Sequence, residues 1–198
     1  MRTNYVLIDY ENIQPGTLTA LEKEHFKIFV FVGASQAKVN YGLADSLQRL
    51  GSNARYVKIS GNGSNALDFH IAYYIGQLAA ADKDGFFHII SKDTGFDPLI
   101  AHLKTKGIYA CRSRDISDMP IVKAANSKSP TEKIEVIVAN LKQRGTARPR
   151  TVKTLTSTIS SLFQKALPEN ELGALIKMLR KQGHITVNGT KVSYSLPE

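Results

Sequence analysis

The chain has 198 residues, 42% hydrophobic and 22% charged, a balance that suits a packed soluble fold and excludes a disordered chain. A net charge of +9 and a pI of about 9.6 favour a polyanionic partner, because Lys and Arg that neutralise phosphates release counterions. No apolar run approaches the roughly 20 residues of a membrane span, and the start lacks the basic and long apolar regions of a signal peptide, so a soluble, cytoplasmic protein with no membrane partner is expected. The single cysteine, Cys111, excludes an internal disulfide and a cysteine-rich zinc site, and its IYAC setting is that of a core residue.

From the N-terminus, short apolar runs alternate with segments of helical period. YVLID (5–9), FKIFVFV (26–32), ARYVKI (54–59), FFHIIS (86–91) and IYACR (108–112) read as strands. Residues 35–51 place Val39, Leu43, Leu47 and Leu50 on one helical side and stop at Gly51. Residues 64–80 do the same with Leu67, Ile71, Tyr74, Ile75 and Leu78, and residues 95–107 with Leu99, Ile100 and Leu103. Continuous apolar strands separated by helices predict an α/β fold with a mainly parallel sheet covered on both faces, over residues 1–112.

Residues 113–130 are polar and aperiodic and read as a linker. Beyond it, residues 131–145, 152–166 and 168–183 each carry a helical apolar stripe, and ITVNGTKVSYSL holds Asn188-Gly189, a two-residue hairpin signal between alternating strands. Three helices followed by a hairpin is the order of a small winged-helix domain over 131–198. Residues 130–198 carry +6 of the net charge and residues 1–129 carry +3. Lys142, Arg144, Arg148, Arg150 and Lys153 crowd the turn between the first two of these helices, a basic face suited to phosphates.

Four aspartates fall on strand-to-helix crossings: Asp9 ends the first strand, Asp93 and Asp97 follow the fourth, and Asp68 opens the helix after the third. In an open parallel sheet, functional groups gather outside the carboxyl ends of the strands, where strand order reverses. With the order 3-2-1-4-5, Asp9 and Asp93 face each other across that point, and Asp68 and Asp97 lean over it. Each also has a structural alternative as a helix cap or dipole partner. Together, ionised carboxylates this close call for a cation, and Mg²⁺ or Mn²⁺ suits all-oxygen ligands and phosphodiester hydrolysis. SGNGSN (60–65) lacks a P-loop ending and reads as a turn beside Asp68. The five histidines show no zinc spacing, there is no GxSxG elbow, and Glu11 stands where haloacid dehalogenase chemistry requires Asp.

Ile8-Asp9-Tyr10-Glu11-Asn12 resembles the opening DxEN motif of the NYN branch of PIN-like ribonucleases, and Ser91-Lys92-Asp93-Thr94-Gly95-Phe96-Asp97-Pro98-Leu99 resembles its SGDGDFxPL motif. Lys92 and Thr94 stand where that family has Gly, and Gly95 where it has an acid. The resemblance implies a PIN-like fold over residues 1–112 and Mg²⁺- or Mn²⁺-dependent cleavage of single-stranded RNA. Asp9, Asp68, Asp93 and Asp97 would then be catalytic metal ligands, with Asn12 and Ser91 as polar neighbours. Asn12, Ser91 and Lys92, together with Lys142, Arg144, Arg148 and Arg150, are the candidate substrate-binding residues. The C-terminal order of elements is similar to the LOTUS (OST-HTH) domains that accompany NYN domains and bind RNA or protein partners, which also allows a homodimer. A nucleic-acid-binding regulator without turnover, or a DNA nuclease, would use the same features.

Overall fold

A computed structural model describes residues 2–197. The chain divides into two compact units, Met1–Met119 and Pro120–Glu198.

In the first unit, β1 (Asn4–Asp9), β2 (Phe26–Val32), β3 (Ala54–Lys58), β4 (Phe86–Ile90) and β5 (Tyr109–Ser113) form one sheet in the order β3-β2-β1-β4-β5, with every neighbouring pair parallel. This is the Rossmann-type order expected from the alternating strand and helix pattern. The central strands are buried on both faces, which is why they read as unbroken apolar runs: Val6, Leu7 and Ile8 are all fully buried. α2 (Ala66–Ala81) and α3 (Phe96–Thr105) cover one face, where Leu67, Ile71, Ile75, Ile100 and Leu103 pack with Leu7, Phe29, Phe31, Phe87 and Ile89. The right-handed crossover from β2 through α1 (Tyr41–Leu50) to β3 puts α1 on the opposite face.

α1 starts later than its apolar spacing predicts. Asn40 caps it, its side chain accepting from the Gly42 N–H at 2.8 Å, so Val39 lies outside the helix and is 40% exposed. Only Leu43 and Leu47 of the expected stripe are buried.

A polar relay crosses the apolar interior. His88 is fully buried, and burial pushes its imidazole down to about 3, so it is neutral. Its Nε2 lies 3.0 Å from Asn4 Oδ1 and its Nδ1 lies 3.4 Å from Cys111 Sγ. Asn4 Nδ2 donates to the Arg2 carbonyl, which leaves Oδ1 as the acceptor and puts the proton on Nε2. Cys111 is buried, as its apolar setting predicts.

In the second unit, α4 (Pro120–Asn126), α5 (Pro130–Gln143), α6 (Val152–Leu162) and α7 (Glu169–Lys181) precede a hairpin of β6 (Ile185–Asn188) and β7 (Lys191–Tyr194). α5 and α6 begin where capping boxes dictate, Ser129 with Glu132 and Thr151 with Thr154. Ile134, Ile137, Leu141, Leu155, Ile159, Leu175 and Leu179 form a separate core. The predicted linker is largely ordered structure instead. Its middle is α4, whose seven residues make about two turns, too few to show a period, yet Ala124 joins the same core. The hairpin turn is also displaced by one residue: Asn188 pairs with Lys191, and Gly189, at φ +59°, opens the loop. With the boundary at Met119, the second unit holds 13 basic and 5 acidic side chains, hence +8 of the net +9. Among the described residues no helix is long and apolar enough to cross a membrane.

Candidate functional site

The site lies at the carboxyl edge of β1 and β4, the two strands between which the order reverses. Asp9, the last residue of β1, is 1% exposed. A buried carboxylate is tolerated only when its oxygens are satisfied, and three donors do this: Ser91 Oγ and Asn12 Nδ2 each donate to Oδ2 at 2.8 Å, and the Asn12 N–H donates to Oδ1 at 3.2 Å. A carboxylate offers about four lone-pair directions, so Asp9 is held in one orientation with capacity for a further contact.

Ser91 connects the two strand ends. Its hydroxyl donates to Asp9 and accepts the Asp93 N–H at 3.1 Å, and it has no exposed surface. It positions both aspartates rather than meeting substrate. Asn12, exposed on the turn after β1, orients Asp9 alone. Asp93 in turn accepts the Gly95 N–H at 2.7 Å, and a Cβ at Gly95 would come within 3.1 Å of the same oxygen, so glycine suits this tight turn.

Asp68, in the first turn of α2, reports how closely the acids gather. Its carboxyl is pushed up to about 6, first by burial and then by the charges of Asp9, Asp93 and Glu11. Asp9, Asp93 and Glu11 thus lie within electrostatic reach of Asp68. Glu11 is an addition that the sequence reading passed over, although it stands inside the Ile8–Asn12 motif. It folds over Gly33 just beyond β2, where a Cβ would lie 1.8 Å from its Oε1.

Asp97 is placed differently. Both of its oxygens face Arg112 on β5, at 2.8 Å to Nε and 3.0 Å to Nη2, and this bidentate pair holds its carboxyl below the usual range. Asp97 is not among the groups that raise Asp68. Arg112 also donates to the Ser91 carbonyl at 3.2 Å and feels the charge of Asp93. It therefore braces the loop after β4, a role invisible in a residue that reads only as part of an apolar strand.

Lys92 is exposed between Ser91 and Asp93. The SGNGSN turn is tied to α2 by His70, whose Nδ1 lies 2.7 Å from the Ala66 carbonyl and whose Nε2 lies 3.3 Å from Ser60 Oγ. In the second unit, the basic turn is partly engaged. Arg148 Nε donates to the Leu141 carbonyl at 2.9 Å and its guanidinium lies 5.7 Å from the centre of the Tyr194 ring, while Arg144 Nε donates to Asn140 Oδ1 at 3.1 Å. Lys142 and Arg150 are exposed on the same turn.

Among the described residues no three His, Cys, Asp or Glu side chains are close enough to cage one metal ion. The donor set nonetheless fits a hard divalent cation. All the donors are oxygens, and the charges of Asp9, Asp93 and Glu11, which add to burial in raising Asp68, are what a cation would offset. Mg²⁺ is commonly held by one or two carboxylates, with waters and substrate phosphate completing its shell, so a ready-made cage is not required.

The PIN domain family model matches residues 3–113, more than half of the chain and nearly the whole first unit. Neither a curated protein nor a solved structure matches it. The matched segment begins one residue before β1 and ends with β5, so it contains the whole parallel sheet and all the carboxylates just described. This chain belongs to the PIN domain family, whose members are generally nucleases that act on nucleic acids with divalent metals.

Proposed function

We propose that the protein is a metal-dependent endoribonuclease of the NYN branch that cleaves single-stranded RNA. The basic second unit, a winged-helix-like module, would supply affinity through Arg150, Lys142 and their neighbours. The observation that carries the reading is the single Ser91 hydroxyl that joins buried Asp9 to Asp93 at the carboxyl edge, beside an Asp68 raised to about 6 first by burial and then by the charges of Asp9, Asp93 and Glu11. Structural caps have no need to crowd in this way, whereas a phosphodiesterase site does.

One or two of Asp9, Asp68 and Asp93, with waters and substrate phosphate, would hold Mg²⁺ or Mn²⁺, which when bound neutralises phosphate charge and favours ionised water. The chain's own residues supply the rest. Ser91 and Asn12 hold the Asp9 carboxylate, and the Asp93 amide is tied to the same serine. Reaction geometry is thereby prepaid before substrate arrives. Lys92, exposed between Ser91 and Asp93, would meet a phosphate from solvent. Glu11 and Asp68 add negative charge, so a bound cation strengthens the hold on phosphate at this edge.

The test is incubation of the full chain with single-stranded RNA and Mn²⁺, with EDTA and Asp93→Asn as controls and duplex RNA and single-stranded DNA as parallel substrates. Cleavage of the RNA that EDTA abolishes, and that Asp93→Asn lowers by about 100-fold or more, is the expected outcome. RNA that binds but is never cut would leave a nucleic-acid-binding protein without turnover. Cleavage of DNA in preference to RNA would assign the same carboxylates to a DNA nuclease.

A further inference from the structure

Three aromatic side chains stand in solvent on the opening turns of α1 and α2. Tyr41, the first residue of α1, is 84% exposed; Phe69, beside Asp68 in the first turn of α2, is 70% exposed; Tyr73, one turn further along the same face, is 63% exposed. The core does not claim these rings. It takes Tyr74 instead, which packs edge-on against Phe29 and Phe31 at 5.9 and 5.2 Å. Tyr41 is anchored through its neighbour to the segment after β1, because the preceding Asn40 N–H donates at 2.9 Å to the hydroxyl of buried Tyr10, the residue after Asp9. α1 and α2 lie on opposite faces of the sheet, and both begin at its carboxyl edge. Tyr41 and Phe69 therefore flank the acids from two sides.

Their surroundings indicate what they receive. The outward face of α2 continues through Gly76, Gln77 and Ala80, all exposed, so it has no continuous apolar groove for a protein helix or strand. Exposed flat rings beside a phosphodiesterase site match another chemistry, even though Tyr73 rests edge-on against Tyr74 at 5.8 Å. Nucleobases stack on aromatic side chains with little dependence on sequence, because every base has a π-face.

We propose that Tyr41 and Phe69, with Tyr73 behind Phe69, stack the bases of a single-stranded nucleic acid on either side of the phosphate placed at the carboxylate cluster. The proposal rests on the nuclease reading for the position of that phosphate. It also explains a single-strand preference in physical terms, since bases already paired and stacked in a duplex are not available to the rings.

The chain contains no tryptophan, so Tyr41→Trp or Phe69→Trp installs a single local reporter. In EDTA, the emission of each variant is expected to be quenched on saturation with a single-stranded oligonucleotide, and not with the same oligonucleotide made abasic. Tyr41→Ala and Phe69→Ala, both at exposed positions, are expected to raise KM by about 10-fold each, with kcat changed far less. Unchanged emission while anisotropy shows the oligonucleotide bound, equal quenching by the abasic strand, or no binding at all would overturn the proposal. Quenching without cleavage in Mn²⁺ keeps the stacking rings and removes the nuclease reading; cleavage without quenching does the reverse.

Discussion

Replacing Asp68 by Asn is expected to stabilise the fold at neutral pH while removing activity. The carboxyl is pushed from 3.8 to about 6, so the folded protein binds its proton more tightly than the unfolded chain does. Stability therefore falls as pH rises through the window between those two values, and it stays lowered above 6. A rise of about two pH units corresponds to roughly 3 kcal/mol for a fully desolvated group. Asp68 is only half-buried, so solvent screening reduces this to about 1 kcal/mol. In a chain of this size, about 1 kcal/mol moves Tm by roughly 2–4 °C. The assay is thermal unfolding in EDTA at pH 7.5 and at pH 3.5, comparing the two proteins. Asp68→Asn should melt higher at pH 7.5 and level with wild type at pH 3.5, and added Mg²⁺ should narrow the gap at pH 7.5. A difference independent of pH, or a variant less stable at pH 7.5, would refute the convergence of charges at Asp68.

Ser91→Ala leaves the buried Asp9 carboxylate one donor short, so a loss of about 1–2 kcal/mol in chemical denaturation is expected, with kcat falling more than KM rises. Because Asp97 is committed to Arg112, Asp97→Asn should keep activity within about 10-fold of wild type while Asp93→Asn loses about 100-fold or more in the same cleavage assay; equal losses would return Asp97 to the acidic group. Gly33→Ala drives a methyl into the position of Glu11 Oε1. Since Glu11 is exposed, the fold should lose less than about 1 kcal/mol, while the Asp68 carboxyl, followed by NMR titration, moves down toward its ordinary range.

The parallel sheet was legible because an unbroken apolar run such as Val6-Leu7-Ile8 suits a strand covered on both faces, and because helices between strands leave few alternatives to it. The approach of Asp9, Asp68 and Asp93 was legible for a related reason: strand-to-helix crossings all collect at one edge. Glu11 and Arg112 were not. The place of Glu11 depends on the absence of a side chain at Gly33, just beyond the neighbouring strand β2, and the place of Arg112 depends on Asp97 one helix earlier. Both are long-range steric facts with no local period. Asp97 itself was misjudged in orientation because helix phase alone does not reveal a competing guanidinium. α4 escaped because two turns are too short to declare themselves.

The neutral His88, bonded to Asn4 and to Cys111, works as an address within the sheet. A slip of β4 by one residue against β1 would turn the imidazole to the opposite face and strand a desolvated donor, at about 1–3 kcal/mol. Only one alignment of β1, β4 and β5 satisfies all three groups. The same β1 and β4 run on to Asp9 and to Ser91 just beyond their ends, so an alignment chosen in the dry interior decides whether a hydroxyl meets a carboxylate at the wet rim. Errors of folding and errors of chemistry would then share one cause, because a mispaired sheet also lacks an assembled site.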